Sequence, residues 1–140
     1  MTMTPETDPS QPHHFQIRVY YEDTDAEAIV YYANYLKFAE RARTEFLRTL
    51  GYSHHQIRSE YNLGFVARHV EADYLASARL DDLLDIQTEV VDMRTASMTM
   101  KQVIRCQDKV LSDVTIVLVA VNPSGKAVRI PPQLRQIFGR

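Results

Sequence analysis

The spacing of apolar residues changes near residue 30, and this change predicts two kinds of secondary structure. Phe15, Ile17, Val19 and Tyr21 alternate with the residues between them, a period of two that predicts a strand. After residue 34 the apolar positions recur every three or four residues, which is typical of one face of an amphipathic helix. That face comprises Tyr35, Phe38 or Ala39, Ala42, Phe46 and Leu50.

The predicted helix has signals at both ends. Asn34 is a residue type that caps helix N-termini, and Gly51 is where a helix often ends in a left-handed residue. About 17 residues at 1.5 Å each give a helix of roughly 25 Å. The charged residues Lys37, Glu40 and Arg41 fall on the face opposite the apolar one, so this helix is expected to pack on one side only.

Four further runs predict strands, at residues 65–76, 84–90, 97–106 and 110–121. Turn signals separate these runs, at residues 80–82, 94–96 and 107–109, which favours antiparallel pairing of all four in a meander. From Val114 to Val121 both faces are mostly apolar, as expected of a strand covered on both sides. Gln133 to Phe138 are expected to form a terminal helical turn. The pattern predicts an α+β protein with one long helix against a curved, five-stranded antiparallel sheet, and a partner subunit that covers an exposed sheet edge.

Composition narrows the function classes. The 140 residues fit one domain, which we expect to span residues 15–140 after a disordered tail at 1–14 that contains Pro5, Pro9 and Pro12. A net charge of -2 gives no support for a nucleic-acid partner, and no apolar run is long enough for membrane insertion. The first residues lack a secretory pattern, and the single cysteine, Cys106, fits a reducing compartment, so a cytoplasmic location is expected.

An acidic cluster, residues 22–27, lies between the first strand and the helix and admits four interpretations: metal site, helix cap, catalytic carboxylate or solvated loop. A calcium-binding loop starting at Asp23 would need Gly and Glu where Ala28 and Asn34 stand, and no histidine spacing completes a zinc site. No metal is therefore expected. Glu22, Asp23 and Glu27 are interpreted as solvated. Asp25 differs, because it precedes a helix start whose free N–H groups favour negative charge.

The stretch YYEDTDAEAIVYYANYLKFAERARTEFLR, residues 20–48, resembles the signature of hot-dog-fold acyl-CoA thioesterases of the 4-hydroxybenzoyl-CoA thioesterase type, and within it the bacterial Tol-Pal-associated group. The resemblance extends from residue 15 to about 138. It implies a hot-dog fold, a homodimer or homotetramer, and hydrolysis of an acyl-CoA, with acyl-carrier protein as a further partner and no cofactor. A carboxylate attacks the acyl carbon or activates water, and N–H donors stabilise the oxyanion.

The resemblance assigns roles to individual residues. Asp25 is the catalytic carboxylate, and the N–H of Tyr32 polarises the thioester carbonyl. From the residue types, Tyr31, Tyr32 and Tyr35 are candidates to line an acyl pocket, with at least one of them expected in the core. Asn34 either contacts substrate or caps the helix. CoA phosphates call for basic residues, and relatives bind the nucleotide with one hairpin across the dimer interface. The matching candidates are Arg94, Ser97, Lys101 and Arg105.

The chain departs from its relatives at two places. They carry a glycine pair where this chain has Glu27 and Ala28, and glycine there permits positive φ. Tol-Pal-type relatives usually carry histidine at the position of Tyr32, so Tyr32 is closer to the benzoyl-type enzymes. Two alternatives stay open: a non-catalytic module that binds acyl-CoA or acyl-carrier protein, consistent with the missing glycines, and a scaffold for an envelope complex.

Overall fold

The structure, a computed structural model, describes residues 11–139. Five strands and three helices follow one another along the chain. The strands are β1 (His13–Arg18), β2 (Gly64–Tyr74), β3 (Leu83–Met93), β4 (Ser97–Cys106) and β5 (Lys109–Val121). The helices are α1 (Tyr32–Thr49), α2 (His54–Tyr61) and α3 (Pro132–Ile137), and a short 3-10 turn covers Tyr21–Asp23.

The sheet is antiparallel throughout, with the order β1-β3-β4-β5-β2. The predicted α+β class and five-stranded sheet are therefore confirmed. The predicted meander is right for β3, β4 and β5 but wrong for β2, which pairs with β5 rather than with β3. Both edges of β3 are already occupied, by β1 and β4, so β2 takes the free edge of β5. Residues 75–82 then carry the chain across the end of the sheet to β3.

Helix α1 lies in the concave face of the sheet and contacts β1, β3, β4 and β5. The predicted apolar face is confirmed, since Tyr35, Phe38, Ala39, Ala42 and Phe46 are all buried, and Leu50 is half-buried at the helix end. Gly51, just beyond the helix, has φ of +96°, the left-handed conformation that its position predicted. The sheet wraps around the helix, which is the hot-dog arrangement.

Burial differs between the two faces of β5. Val114, Ile116, Leu118 and Ala120 point towards α1 and are buried, whereas Thr115 and Val117 on the outer face are half-buried. Cover on both sides was predicted. The inner face agrees with this prediction, and the outer face agrees in part, because Val119 is buried while Thr115 and Val117 are half-buried.

The N-terminal boundary also differs from the prediction. The sequence placed His13 and His14 in a disordered tail. In the structure they belong to β1 and pair with Thr88 and Gln87 of β3. The ring of His13 lies 5.7 Å from that of Phe46, so the inner face of β3 and α1 orders this part of the chain. The rest of the predicted tail, residues 1–10, lies outside the described residues.

The core consists of two apolar clusters with polar side chains between them. One cluster surrounds Val30, Tyr35 and Phe38, and the other surrounds Phe46, Met98 and Phe138. Gln102 and Thr88, both with no exposed surface, lie on the inner face between the clusters. We call Thr88, Gln102 and Arg43 the polar layer; its hydrogen bonds are described below.

Candidate active site

The acidic loop is folded as a tight hairpin with Asp25 near its tip. Thr24 and Val30 form an antiparallel bridge, and the N–H of Asp25 donates to the carbonyl of Ile29 at 2.9 Å. Inside that bridge the N–H of Ala28 donates to the carbonyl of Asp25, also at 2.9 Å. The bridge fixes the direction of the chain on both sides of Asp25, so the position of this carboxylate is set by backbone hydrogen bonds.

Ala28 occupies the left-handed region, with φ of +64°. This is one of the two positions at which the resemblance implies glycine. The loop therefore keeps the glycine-type backbone at Ala28 with a side chain present, at a cost of about 1 kcal/mol for the Cβ in that conformation. The hairpin hydrogen bonds are what hold it there. Glu27 is not among the residues with positive φ.

The carboxyl group of Asp25 is half-buried and one of its oxygens is fixed. Oδ1 accepts a hydrogen bond from the N–H of Glu27 at 2.9 Å. The side chain lines an open cavity of about 500 Å³. The other residues of that cavity are Tyr21, Thr24, Ala26, Ala28 and Leu80. One carboxylate oxygen of Asp25 is thus hydrogen-bonded within the loop, and the other oxygen is available to a ligand in the cavity.

The other acidic residues of the cluster divide into two groups. Glu22 and Glu27 are exposed, as predicted. Asp23 is not: it is 8% exposed, and its Oδ2 accepts a hydrogen bond from the N–H of Tyr20 at 2.8 Å. The prediction that Asp23 is solvated is wrong, because its carboxylate satisfies a backbone donor at the start of the 3-10 turn.

Helix α1 begins three residues earlier than Asn34 suggested. Tyr31 is the N-cap and Tyr32 the first helical residue, so the prediction that Asn34 caps the helix is wrong. Instead, Nδ2 of Asn34 donates to the main-chain oxygen of Asp23 at 2.9 Å, and the N–H of Tyr31 donates to the same oxygen at 3.0 Å. These two bonds connect the base of the Asp25 hairpin to the first turn of α1.

The N–H groups of Tyr32 and Ala33 lie in the first helical turn, where no intrahelical acceptor exists. Within residues 11–139 no other main-chain acceptor takes them. They are oriented donors at the positive end of an 18-residue helix. Such donors are able to stabilise a developing oxyanion.

Aromatic rings surround this helix start. Tyr31 and Tyr32 are 46% and 59% exposed, and their ring centroids are 4.9 Å apart. Tyr32 also contacts Tyr74 of β2 edge-on at 5.8 Å. The buried Tyr35 accepts a hydrogen bond at its hydroxyl from the N–H of Ala78 at 2.9 Å. Burial raises the pKa of both Tyr35 and Tyr74, so both phenols stay protonated at neutral pH. Two exposed tyrosines thus flank the free N–H groups.

The four predicted nucleotide-binding residues do not gather around Asp25 within one chain. Ser97, Lys101 and Arg105 lie on the outer face of β4, and Arg94 lies in the turn before it. Arg94 pairs with Asp92 at 3.2 Å and Lys101 with Asp113 at 3.7 Å, while Arg105 donates to Gln87 at 2.9 Å. Ser97 is nearly buried. Only Arg105 is at the end of β4 nearest to residues 75–82, which contact the hairpin.

A second cavity, of about 210 Å³, lies between α1 and the inner face of the sheet. Its polar wall includes Glu40, Arg43 and Thr44 of α1. We call it the helix–sheet cavity. Neither Arg43 nor its partner Gln102 was assigned a role in the site from the sequence. The available signal was Gln102 itself, a polar residue at an inward position of the alternating strand β4.

Within residues 11–139 no three histidine, cysteine, aspartate or glutamate side chains gather as a metal site would require. Among the helices of the described residues, none is long and apolar enough to cross a membrane.

Comparison with known proteins identifies the family. Residues 27–112 match the model of the thioesterase superfamily. The chain is 41% identical over 125 residues to the acyl-CoA thioesterase YbgC of Haemophilus influenzae, covering 89% of this chain and 92% of that protein. A crystal structure of a probable thioesterase from Bartonella henselae superposes with a TM-score of 0.83 at 37% identity, over 86% of this chain and 99% of that one.

The fold extends to more distant proteins. A 4-hydroxybenzoyl-CoA thioesterase variant crystallised with 4-hydroxybenzoyl-CoA superposes with a TM-score of 0.87 at 19% identity, over 92% of this chain and 99% of that one. The resemblance of residues 20–48 to hot-dog-fold acyl-CoA thioesterases is confirmed, while the Tol-Pal association stays a prediction. This chain belongs to the thioesterase superfamily.

Proposed function

We propose that this protein hydrolyses an acyl-CoA to the free acid and CoA, with Asp25 as nucleophile or general base and the N–H of Tyr32 as oxyanion donor. The reaction class follows from membership of the thioesterase superfamily and from the 41% identity to a protein named an acyl-CoA thioesterase. The roles of Asp25 and Tyr32 are the part of the proposal that rests on geometry.

One observation carries these roles. The hairpin that holds the carboxylate of Asp25 continues directly into the first turn of α1. The main-chain oxygen of Asp23, at the base of the hairpin, accepts hydrogen bonds from Tyr31 and Asn34 at the start of the helix. A base and a set of free N–H donors therefore belong to one rigid unit of the chain. Thioester hydrolysis needs both at once, because negative charge develops on the carbonyl oxygen as the acyl carbon is attacked.

Two routes of thioester hydrolysis can be written with Asp25, water and the N–H of Tyr32. In the general-base route, the Asp25 carboxylate takes a proton from water while the water oxygen bonds to the acyl carbon. In the nucleophilic route, the carboxylate oxygen bonds to the acyl carbon and water later cleaves the anhydride. In both, the carbon–sulfur bond breaks, the thiolate of CoA leaves and is protonated, and the acid is released. The Tyr32 N–H stabilises the tetrahedral oxyanion in each.

The proposal includes a homodimer formed through β2. This strand is a free sheet edge of 11 residues, and Val70 and Tyr74 on its inner face are 39% and 43% exposed. A long, partly apolar edge is a template for pairing with a second strand. Antiparallel pairing of β2 with its copy brings the Tyr74 end of one protomer beside the Phe65 end of the other. Two composite sites result, each with the Asp25 hairpin of one subunit and the helix–sheet cavity of its partner.

The nucleotide of CoA belongs with the outer face of β4 in this proposal. Arg94, Lys101 and Arg105 each have a polar partner that a phosphate would replace or share. Ser97 and Asn34 would position neighbouring residues and make little contact with the substrate, because Ser97 is nearly buried and Asn34 is hydrogen-bonded to Asp23. Tyr31, which is exposed beside Tyr32, would contact the acyl group.

The decisive experiment is steady-state hydrolysis of a panel of acyl-CoAs by the wild type and by Asp25→Asn. The amide cannot take a proton or attack, so we expect kcat/KM to fall on the order of 10²-fold or more. Glu22→Gln is the matched control, since Glu22 is exposed in the same segment and should leave the rate unchanged. A rate for Asp25→Asn within about threefold of wild type would refute the assigned role.

The same experiment distinguishes a thioesterase from the two alternatives, a non-catalytic binding module and an envelope scaffold. The binding-module hypothesis drew on the missing glycines, yet Ala28 keeps the positive φ that glycine would provide, so this observation no longer favours it. That module would bind acyl-CoA without turnover, and an envelope scaffold would keep its function in Asp25→Asn. A cytoplasmic location, a tetramer, use of acyl-carrier protein and the Tol-Pal association stay predictions.

A further inference from the structure

The helix–sheet cavity combines an apolar wall with two charged residues of α1, Glu40 and Arg43. The wall is formed by side chains from α1, the sheet and α3: Leu47, Phe65, Met98, Met100, Leu118 and Phe138. Arg43 of α1 lines the same cavity and is half-buried. Burial lowers the pKa of this guanidinium, although it stays charged at neutral pH. The cavity thus brings a partly desolvated cation against a space suited to hydrocarbon.

Arg43 is not neutralised by an ion pair within the described residues. Among residues 11–139 no carboxylate lies within 4 Å of its guanidinium nitrogens. Glu40, one turn earlier on α1, favours the charged form of Arg43, but its side chain is exposed and water screens it. A buried charge without a partner is costly unless other groups or a ligand supply hydrogen bonds.

The polar layer orients Arg43. Its NH1 donates to Oε1 of Gln102 at 3.0 Å. Gln102 cannot turn around, because its Nε2 donates to the carbonyl of Ala39 at 2.8 Å and to Oγ1 of Thr88 at 3.0 Å. Both Gln102 and Thr88 are fully buried, so this arrangement is fixed by the core.

Arg43 also keeps donors that the chain does not use. A guanidinium offers five N–H donors in a rigid fork. Gln102 is the only acceptor for Arg43 within the described part of the chain. The remaining donors are available to a ligand in the cavity, and a planar fork is well suited to an oxygen acceptor, above all to a carboxylate.

We propose that the helix–sheet cavity binds the distal end of the acyl group, and that Arg43 donates hydrogen bonds to an oxygen there. The inference rests on the proposed function, since the acyl group comes from the thioester held at the partner's Asp25 hairpin. The substrate class is a short acyl-CoA with a hydroxyl or carboxylate at its far end. A volume of about 210 Å³ holds about seven water-sized groups at about 30 Å³ each, so the distal part of a short acyl chain and its terminal oxygen fit there.

The test compares three CoA thioesters of equal chain length: hexanoyl-CoA, 6-hydroxyhexanoyl-CoA and adipoyl-CoA. We expect the wild type to prefer at least one oxygen-bearing thioester over hexanoyl-CoA by about tenfold in kcat/KM, because a hydrogen bond to a charged donor discriminates by this much or more. The preferred compound tells whether a hydroxyl or a carboxylate is the source of the oxygen. In Arg43→Met the ratio should collapse to about one.

Arg48→Met is the matched control, because Arg48 is an exposed arginine on the same helix whose partner is the surface residue Glu45. It should keep the wild-type ratio. If Arg43→Met does not fold, as judged by circular dichroism, Arg43→Lys replaces it and should lower the ratio, because an ammonium lacks the fork. Either variant that keeps the full wild-type preference would overturn the proposal.

Two further outcomes separate this proposal from the proposed function. A wild type that hydrolyses hexanoyl-CoA at least as well as both oxygen-bearing thioesters contradicts the role of Arg43 while the thioesterase assignment stands. If no thioester is hydrolysed, calorimetric binding of the same three compounds decides. Tighter binding of an oxygen-bearing compound that Arg43→Met abolishes would support the cavity, and equal binding of all three would refute it.

Discussion

The side-chain amide of Asn34 donates a hydrogen bond to the main-chain oxygen of Asp23, 2.9 Å away, across the base of the Asp25 hairpin. This bond holds the hairpin against the first turn of α1. In Asn34→Ala the main-chain oxygen of Asp23 accepts a hydrogen bond from the N–H of Tyr31 but no longer from residue 34. We expect a loss of about 1 kcal/mol in the free energy of unfolding.

The same substitution should lower kcat by about tenfold, since small displacements of a catalytic group are costly. Urea denaturation and acyl-CoA hydrolysis measure the two effects. Ser124→Ala is the control, because it removes a side-chain hydrogen bond in an exposed turn away from the hairpin and should leave kcat unchanged. An Asn34→Ala enzyme with wild-type kcat would contradict a positioning role for Asn34.

Ala28 has φ of +64°, so Ala28→Gly should not destabilise the protein. Glycine removes about 1 kcal/mol of backbone strain and loses part of that gain through the greater freedom of the unfolded chain. We expect an unchanged or raised Tm. Ala26→Gly in the same hairpin lacks the positive φ and should lower Tm. A drop in Tm for Ala28→Gly equal to that for Ala26→Gly would show that the left-handed backbone at Ala28 carries no strain.

His13 gives a pH dependence whose sign follows from its surroundings. Burial against Phe46 holds the pKa of His13 below its ordinary value of 6.5, and His14 lowers it further, while Glu45 and Asp85 act in the opposite direction. The unfolded chain therefore binds the proton more readily than the native state does. The contribution of His13 to stability is present above pH 6.5 and is lost as the pH falls below that value.

This effect is measured as the difference between wild type and His13→Gln in the free energy of unfolding, from pH 8 to pH 5. The stability of the wild type should fall more steeply with acidification than that of the variant. Parallel curves for wild type and His13→Gln would contradict the prediction.

A lysine at Val70 should separate the proposed dimer. Val70 lies mid-strand on β2, with its side chain exposed on the inner face, and a lysine on a free edge opposes strand pairing. Sedimentation velocity should report a species of about 16 kDa in place of twice that mass. Activity should fall with the dimer, since each site is composite. Val91→Lys, equally exposed on β3, should stay dimeric and active. A monomeric wild type would refute the composite site.

Local periodicity was sufficient for the elements whose burial has a regular period. The inner face of α1 and the alternation of Leu84, Ile86, Thr88 and Val90 in β3 were both predicted correctly, because each is determined by which side of one element meets the core. The Asp25 hairpin was predicted as a site from its residue types and its resemblance to the family. Its backbone conformation at Ala28 depends on the bridge between Thr24 and Val30, which only the folded chain contains.

Features that depend on distant segments were not predictable in this way. β2 pairs with β5 because β1 occupies the edge of β3, a long-range competition that no window of sequence contains. Asn34 was predicted to be a cap because of its residue type, yet its partner is Asp23, eleven positions away along the chain. Gln102 stood at an inward position, but its role required Ala39, Thr88 and Arg43 to meet.

The polar layer has a consequence for how the protein can diverge. It isolates the apolar cluster around Val30, Tyr35 and Phe38, which supports the hairpin, from the cluster around Met98 and Phe138, which walls the helix–sheet cavity. If the proposed function and the proposed acyl site are right, substitutions that reshape the cavity fall on one side of Gln102 and the reacting groups lie on the other side. New acyl preferences could then arise by mutation of the cavity wall without changes to the hairpin.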